Sequence, residues 1–306
     1  MGRIAIVTDE PGWHGARLRE AFAEKGFGSE YVSLTQCRIV IESGQLPVRM
    51  PGFESALPDG VFVRGVPGGS LEQVVHYLDV LHVLKRLGIV VYNDGQAIER
   101  SVDKAMTSFL LWRVGIPTPP TWVTPINSEA LGIATRELAA GHRLVSKPIF
   151  GSQGLGVQKL DSPDDLGKLA SSGGIFYLQR YVENGQPASS DWRVFVINGK
   201  AQSAMRRFGK SWLNNVAQGA RCEIAVLDAG LRRLAEDAIS ALAMNYGGVD
   251  IMCDSQGNYC VIEVNSVPAW KGLESVSKSD IASLLAEDFL NLCSDSALNE
   301  PGVAAL

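Results

Sequence analysis

Two short apolar runs do most to limit what this chain can fold into: Gly248-Val249-Asp250-Ile251-Met252 and Val261-Ile262-Glu263-Val264-Asn265. Each has the composition of a buried β-strand, yet between them they carry Asp250, Glu263 and Asn265. A carboxylate in such a run is costly to bury unless something positive meets it. Glu263 and Asn265 lie two apart, so on a strand they share a face. The turn cluster Asp254-Ser255-Gln256-Gly257-Asn258 folds the first run back on the second and brings Asp250 roughly opposite Glu263. The pattern predicts a hairpin presenting an all-oxygen donor set suited to Mg²⁺, which also keeps waters and takes substrate phosphates as ligands.

The chain has 306 residues, enough for two domains or one large one. Hydrophobic residues at 46% and charged residues at 20% fit a globular protein with a sizeable core. The net charge of −5 gives no general attraction to nucleic acid or to an anionic membrane. No run of about 18 apolar residues reads as a transmembrane helix. The N-terminus meets Asp9 too soon for a signal peptide, and Ile6 stands where a myristoylation motif needs Ser or Thr. We therefore expect a cytoplasmic protein without nucleic-acid or membrane partners, and homo-oligomerisation stays open. Five irregularly spaced cysteines, Cys37, Cys222, Cys253, Cys260 and Cys293, read as reduced thiols. The four histidines show no metal spacing.

Strands alternate with helices over the first third: Ile4–Val7, His14–Lys25, Glu30–Leu34, Val61–Arg64, a helix from Ser70 to Leu87, then Ile89–Tyr92. This order argues for a small parallel sheet with helices on its faces. A helix is expected over Ala97–Val114, followed by the stiff connector Gly115-Ile116-Pro117-Thr118-Pro119-Pro120. The second half mixes hairpins and helices, including Asp191–Ile197 and Ala201–Phe208 around the turn Asn198-Gly199. It also holds an amphipathic helix over Leu231–Tyr246, capped by Gly247-Gly248. The tail after Cys293 reads as loose.

Gly151-Ser152-Gln153-Gly154-Leu155-Gly156 follows the strand ending in Lys147-Pro148. Its glycines let backbone N–H groups approach an anion, although it has neither the P-loop ending nor the dinucleotide spacing. Alone it reads equally well as a hairpin loop; Lys147, four residues before it, is placed to meet a phosphate charge. Phe176–Val182 is an apolar strand that can line a flat cleft and offer backbone groups to a purine edge, or simply belong to a core. Arg206 or Arg207 can grip a phosphoryl group bidentately, and Asp191 and Arg193 form a strand-edge pair.

In order and spacing these pieces resemble the RimK-type ATP-grasp ligases. The likeness runs through Asp103-Lys104, Ser146-Lys147-Pro148 with the glycine loop, Gln179-Arg180-Tyr181-Val182 and Asp191-Trp192-Arg193. It continues with Met205-Arg206-Arg207, Trp212–Ala220, Gly248-Val249-Asp250 and Glu263-Val264-Asn265-Ser266-Val267-Pro268. The fold implied is α/β and α+β: a small N-terminal parallel α/β (pre-ATP-grasp) domain over 1–95, an ATP-grasp domain of two lobes with the ATP cleft between them over 96–293, and the tail 294–306.

Residue by residue, the resemblance implies Mg²⁺ ligation by Asp250, Glu263 and Asn265, with Glu263 bridging two ions and Mn²⁺ an acceptable substitute. It implies ATP-phosphate contacts from Lys104, Lys147 and the loop residues Gly151, Ser152, Gln153, Gly154 and Gly156. Gln179, Arg180, Tyr181 and Val182 match the adenine-contacting segment, Asp191 a nucleotide-contacting acid, and Asn215 an asparagine near phosphate and metal. Arg206 or Arg207 matches the arginine that steadies an acyl phosphate; strand alternation lets only one face the site. Arg180, Leu213 and Ala269 depart from the commoner family residues at positions that bear on substrate choice.

The implied reaction is ATP-dependent amide formation through an acyl phosphate. Glutamate is the expected amine donor, and a carboxylate-bearing, pterin-like coenzyme the expected acceptor. The alternatives are a peptide or protein C-terminus as acceptor, or a non-catalytic ATP-binding protein. Arg64, after a strand of the first domain, and Arg193 are candidates for gripping substrate carboxylates. Retention of Asp250, Glu263, Asn265 and Lys147 together argues against a binding-only protein. The missing glycine fingerprint after Val7 argues against a dehydrogenase.

Overall fold

The computed structural model describes residues 2–151, 154–184, 189–214, 216 and 219–299. In chain order the elements are β1 (Arg3–Val7), α1 (Gly12–Glu24), β2 (Gly28–Val32), β3 (Arg38–Ile39), β4 (Val48–Arg49), β5 (Gly60–Val63), α2 (Leu71–Arg86), β6 (Val90–Tyr92), α3 (Gly95–Val102) and α4 (Lys104–Arg113). Then come β7 (Thr121–Thr124), α5 (Asn127–Ala139), β8 (Leu144–Ser146), β9 (Gln158–Leu160), β10 (Phe176–Arg180), β11 (Ser190–Ile197), β12 (Lys200–Phe208) and β13 (Arg221–Ile224). The last are α6 (Ala229–Ala241), β14 (Tyr246–Cys253), β15 (Tyr259–Asn265), α7 (Lys271–Glu274) and α8 (Ile281–Asn299). Two compact units result: residues 1–98, 244–246 and 267 onward form one, and residues 99–243 and 247–266 the other.

The first unit is built on a parallel sheet of order β2-β1-β5-β6. Both faces are covered, so β1 and β5 are apolar at nearly every position rather than alternating. Ala5, Val7, Val61 and Val63 pack against Tyr77, Val80, Leu81 and Leu84 of α2. On the other face Phe62 meets Phe22 of α1 and Phe289 of α8 at centroid distances of 6.0 and 5.6 Å. Helix α2 starts on a capping box: Ser70 accepts from the Gln73 backbone N–H, and the Gln73 side chain accepts from the Ser70 N–H.

The second unit holds two antiparallel sheets, β7-β10-β8-β9 and β13-β12-β11-β14-β15. Helix α5 covers one face of the first, packing Ala130, Ile133, Ala134 and Leu138 against Phe176 and Leu178. Helix α6 lies on the second and buries Leu231, Ala235, Ala238 and Ile239.

Three expectations need correction. The helix over 97–114 is divided, because the Asp103 side chain accepts from the Ala105 and Met106 N–H groups at 2.8 and 3.0 Å and starts α4 afresh. Helix α6 stops at Ala241, since Ala243 takes a left-handed φ of 54°, and Tyr246, Gly247 and Gly248 belong to β14 rather than to a helix and its cap. At the C-terminus, α8 runs on to Asn299 where a loose tail from 294 was expected.

Candidate active site

Within the second unit a cleft of about 810 Å³, counted out to its open mouth, is lined by Lys104, Lys147, Gly151, Gly154, Asp191 and Glu263 among others. Its floor starts at the end of β8. The Lys147 backbone N–H donates to Tyr177 O at 3.1 Å, which carries the pairing with β10 one residue past the strand. The Lys147 ammonium then donates to Gln179 Oε1 at 2.7 Å. Burial lowers the pKa of this ammonium below the ordinary lysine value, with Glu263 opposing and Lys104 adding to the shift.

Beyond Pro148 the chain doubles back. Gly154 and Gly156 hold φ values of 73° and 71°, a region in which a side chain is disfavoured. A Cβ at Gly156 would also stand 2.9 Å from Pro148 Cγ. Lys104 opens α4 and donates to Gly151 O at 2.8 Å and to Ile149 O at 3.4 Å, so it ties the loop to the helix start. Its ammonium stands 3.9 Å from Glu263 Oε1. Burial lowers the Lys104 pKa, with Glu263 and Asp103 opposing. Two lysines and the positive end of a helix therefore surround the loop, a field that favours an anion.

The opposite wall is the five-stranded sheet. Asp250 pairs with Glu263 and Gly248 with Asn265 across β14 and β15, so the three oxygen-bearing residues share the face that the sequence pattern requires. The register slips between Asp250 and Ile251, which pair with Glu263 and Val261. Ile262 is the extra residue of this bulge, and both Ile262 and Glu263 line the cleft.

Along β11 and β12 the same face carries a buried charge network. Arg207 holds Asp191 with two bonds of 2.7 Å and reaches Asp250 Oδ2 at 2.9 Å. Arg193 holds Asp250 with a second fork, both bonds 2.7 Å. Burial pushes the Asp250 carboxyl up, but Arg193 and Arg207 together bring it below its ordinary value.

Two family models cover the chain: a RimK-like ATP-grasp domain matches residues 101–289, and a RimK pre-ATP-grasp domain matches residues 2–98. The chain belongs to the RimK-like ATP-grasp family. It is similar to the tetrahydromethanopterin:alpha-L-glutamate ligase of Methanococcus maripaludis, at 30% identity over 94% of this chain and 98% of the relative. It is also similar to a probable alpha-L-glutamate ligase of Pseudoalteromonas atlantica, at 30% identity over 93% of this chain and 94% of the relative. The ATP-grasp ligase PsnB, solved with a minimal precursor, has the same fold, with a TM-score of 0.73, 20% identity, and 95% and 99% of the two chains covered.

As an ATP-grasp ligase the protein is an ATP- and Mg²⁺-dependent enzyme. Its residues fit Mg²⁺. Among the described residues no three or more His, Cys, Asp or Glu side chains form a metal cage. Mg²⁺ in phosphate sites needs none, since one or two carboxylates and the substrate's phosphates suffice. Glu263 and Asn265, two apart on β15 and paired with Asp250 and Gly248, bring side-chain oxygens to one face, the ligand type that Mg²⁺ takes. Asp250 already accepts three N–H bonds from the two arginines. Of roughly four acceptor positions on a carboxylate one then remains, so Asp250 can ligate only through that position or by releasing Arg193.

The cleft is also lined by Tyr181, Val182 and Asp191. Tyr181 stands edge-on to Trp212 at 6.3 Å and under the Lys159 ammonium at 4.2 Å. Other candidates are differently used. Arg206 points to the opposite face of the sheet, bonding Ser190 Oγ at 2.9 Å and lying 4.7 Å over Trp192. Arg207 has the right face but is 2% exposed and sealed between two aspartates. Arg180 lines the cleft, yet its guanidinium pairs with Glu137 of α5 at 2.7 Å. Gln179 lines the cleft as well, 2% exposed, with its oxygen taken up by Lys147.

Arg64 lies in the first unit, donating to Pro268 O at 3.2 Å and stacked 4.5 Å over Trp270, as a strut for that loop. Ser152, Gln153 and Asn215 fall outside the described residues. Sequence reasoning missed Asn214, 5% exposed, whose Oδ1 accepts from Gly209 N at 3.2 Å beside the cleft. A Cβ at Gly209 would stand 2.2 Å from Leu213 O, which explains the glycine. It missed Ile262 as well, because a bulge leaves no mark on the alternation.

Proposed function

We propose that the protein joins L-glutamate to a carboxylate on a pterin-like coenzyme, consuming ATP and passing through an acyl phosphate. The observation that carries this reading is the near end-to-end likeness to a tetrahydromethanopterin:alpha-L-glutamate ligase, in a chain that keeps Lys104, Lys147 and Glu263 around one cleft.

The acceptor carboxylate attacks the γ-phosphate, ADP leaves, and an acyl phosphate remains. The glutamate amine then attacks the acyl carbon and inorganic phosphate departs as the amide forms. Lys104, Lys147 and the backbone of the glycine loop hold and neutralise the phosphates, so the chain's contribution is positioning and charge. Apolar walls from Val145, Val157, Trp212, Leu213, Met252 and Ile262 exclude the water that would hydrolyse an acyl phosphate. Glu263 and Asn265, with Asp250, would hold the Mg²⁺ ions, two by the family resemblance and replaceable by Mn²⁺, whose charge would neutralise phosphate oxygens. Arg193 is 15% exposed at its side chain against 2% for Arg207, and is the arginine with access to a substrate oxyanion.

The test is ADP release with L-glutamate and pooled pterin-type carboxylates, with product masses read out. We expect one or more glutamate increments on the pterin and loss of ADP release in Glu263→Ala at unchanged thermal stability. An increment on a supplied peptide instead, or full turnover by Glu263→Ala, would refute the acceptor assignment or the metal site respectively.

A further inference from the structure

The candidate phosphate lysine is not aimed by a carboxylate. Among the described residues, Lys147 Nζ has one hydrogen-bond partner, Gln179 Oε1 at 2.7 Å. Gln179 is 2% exposed, and a carboxamide can present either its oxygen or its NH₂ group. Which one faces Lys147 is decided behind it. Thr121 Oγ1 donates to Pro119 O at 2.8 Å, which spends its only hydrogen. It can therefore only accept from Gln179 Nε2, 3.0 Å away. Tyr177 OH, 3.2 Å from the same nitrogen, is hydrogen-bonded to Ser108 Oγ at 2.9 Å and can accept as well. Both amide hydrogens are thus drawn away from the cleft, and the oxygen is left for the ammonium. In the reversed amide, NH₂ would face an ammonium and carbonyl oxygen would face an accepting hydroxyl, two repulsive contacts in a buried place.

We propose that Gln179 is a positioning residue, whose carboxamide, oriented by Thr121 and Tyr177, aims the Lys147 ammonium at the bound nucleotide. One ammonium hydrogen is held by a neutral acceptor, and two remain for phosphate oxygens. A carboxylate at this place would hold the lysine more tightly and cancel the charge that the phosphate needs. The inference rests on the reading of Lys147 as a phosphate-binding residue.

The test is calorimetric titration of ADP with Mg²⁺ into the full chain, with melting temperature followed in parallel. Thr121→Val keeps the shape and removes the hydroxyl. We expect it to weaken ADP binding about tenfold, with the melting temperature lowered by no more than a few degrees as Pro119 O and Gln179 Nε2 lose the hydroxyl, and Thr121→Ser to restore both. In a Lys147→Ala background, Thr121→Val should cost nothing further, because the group it orients is gone. Equal affinities for the Val and Ser variants, or a full additional loss in the Lys147→Ala background, would overturn the relay. If Lys147→Ala binds ADP like the native chain, the phosphate role of Lys147 fails, and the relay fails with it. Gln179→Met carries the same comparison should Thr121→Val not yield folded protein.

Discussion

Arg207→Met is the substitution whose cost the structure defines best. The Arg207 and Asp191 side chains are 2% and 4% exposed, and three bonds join Arg207 to its neighbours: 2.7 and 2.7 Å to Asp191 and 2.9 Å to Asp250. Removing the guanidinium leaves Asp250 its fork from Arg193, but leaves Asp191 with no hydrogen-bond partner among the described residues. Breaking a buried pair from one side costs about 3–5 kcal/mol, a large part of the 5–15 kcal/mol typical of a domain. Burial already holds the Asp191 carboxyl above its ordinary value even with Arg207 against it, so the variant should take up a proton there. A carboxyl whose folded pKa is raised stabilises below the unfolded value and loses that contribution as pH rises through the folded one. The penalty should therefore be smaller at pH 5 than at pH 8. The double variant Arg207→Met/Asp191→Leu replaces the pair by apolar groups and should recover most of the loss. Urea unfolding followed by tryptophan fluorescence measures the two single variants, Arg207→Met and Asp191→Leu, and the double. A single-variant cost below about 1 kcal/mol, or a double variant as unstable as the two singles added, would refute the reasoning.

Two further predictions concern pH. His14 Nε2 accepts from the Trp270 and Lys271 backbone N–H groups at 3.1 and 3.3 Å, and burial, Arg64 and Lys271 lower its pKa to about 4. The neutral ring therefore stabilises fully above pH 6.5, and this is lost as pH falls through 4; the melting-temperature gap between the native chain and His14→Phe should shrink over that range, and a constant gap would count against the two acceptor bonds. Burial also lowers the Lys147 pKa, so kcat/KM for ATP should fall as pH rises, with its alkaline limb below the ordinary lysine value of about 10.4. Glu263→Gln removes a charge that opposes the shift, so ADP affinity in that variant should be lost at still lower pH; an unmoved limb would separate Glu263 from Lys147.

What could be read from the sequence followed periodicity. The hairpin followed from a side-chain period of two and a recognisable turn, but the pairing of Asp250 with Glu263 and of Gly248 with Asn265 depends on the bulge at Ile262; counted straight from the turn, Asp250 would face Ile262. The parallel sheet followed from alternating strand and helix patterns. What could not be read depended on partners distant in sequence or on single backbone angles. Nothing local distinguishes Arg180, spent on Glu137 43 residues away, from Arg193, spent on Asp250. Arg206 and Arg207 were known to face opposite ways, but which way had to come from the register that sets Asp191 beside Arg207. An alanine at positive φ ends α6, against the propensity that extends the helix in any sequence reading. Gln179 was read with the purine-facing strand, because its true neighbour, Lys147, lies one residue past the end of a separate strand.

These placements divide the charges of the second unit by exposure. Arg207, Asp191 and Asp250 are nearly sealed and together carry one net negative charge, which Arg193 cancels. Lys104, Lys147 and Glu263 line the cleft with one net positive charge, beside Gly151 and Gly154 of the glycine loop. A polyanionic nucleotide adds to the second group without having to break the first. Arg193 belongs to both, since its fork closes on Asp250 while 15% of its side chain remains exposed. On the proposed reading, a cation ligated by Asp250 would replace Arg193 as the partner of that carboxylate and leave the guanidinium available to an oxyanion. Arg207, with its remaining bonds to Asp191, would keep Asp250 in register during the exchange. A sheet that needs two arginines to bury two aspartates thus has, in the more exposed of the pair, the one cation it can lend to the reaction.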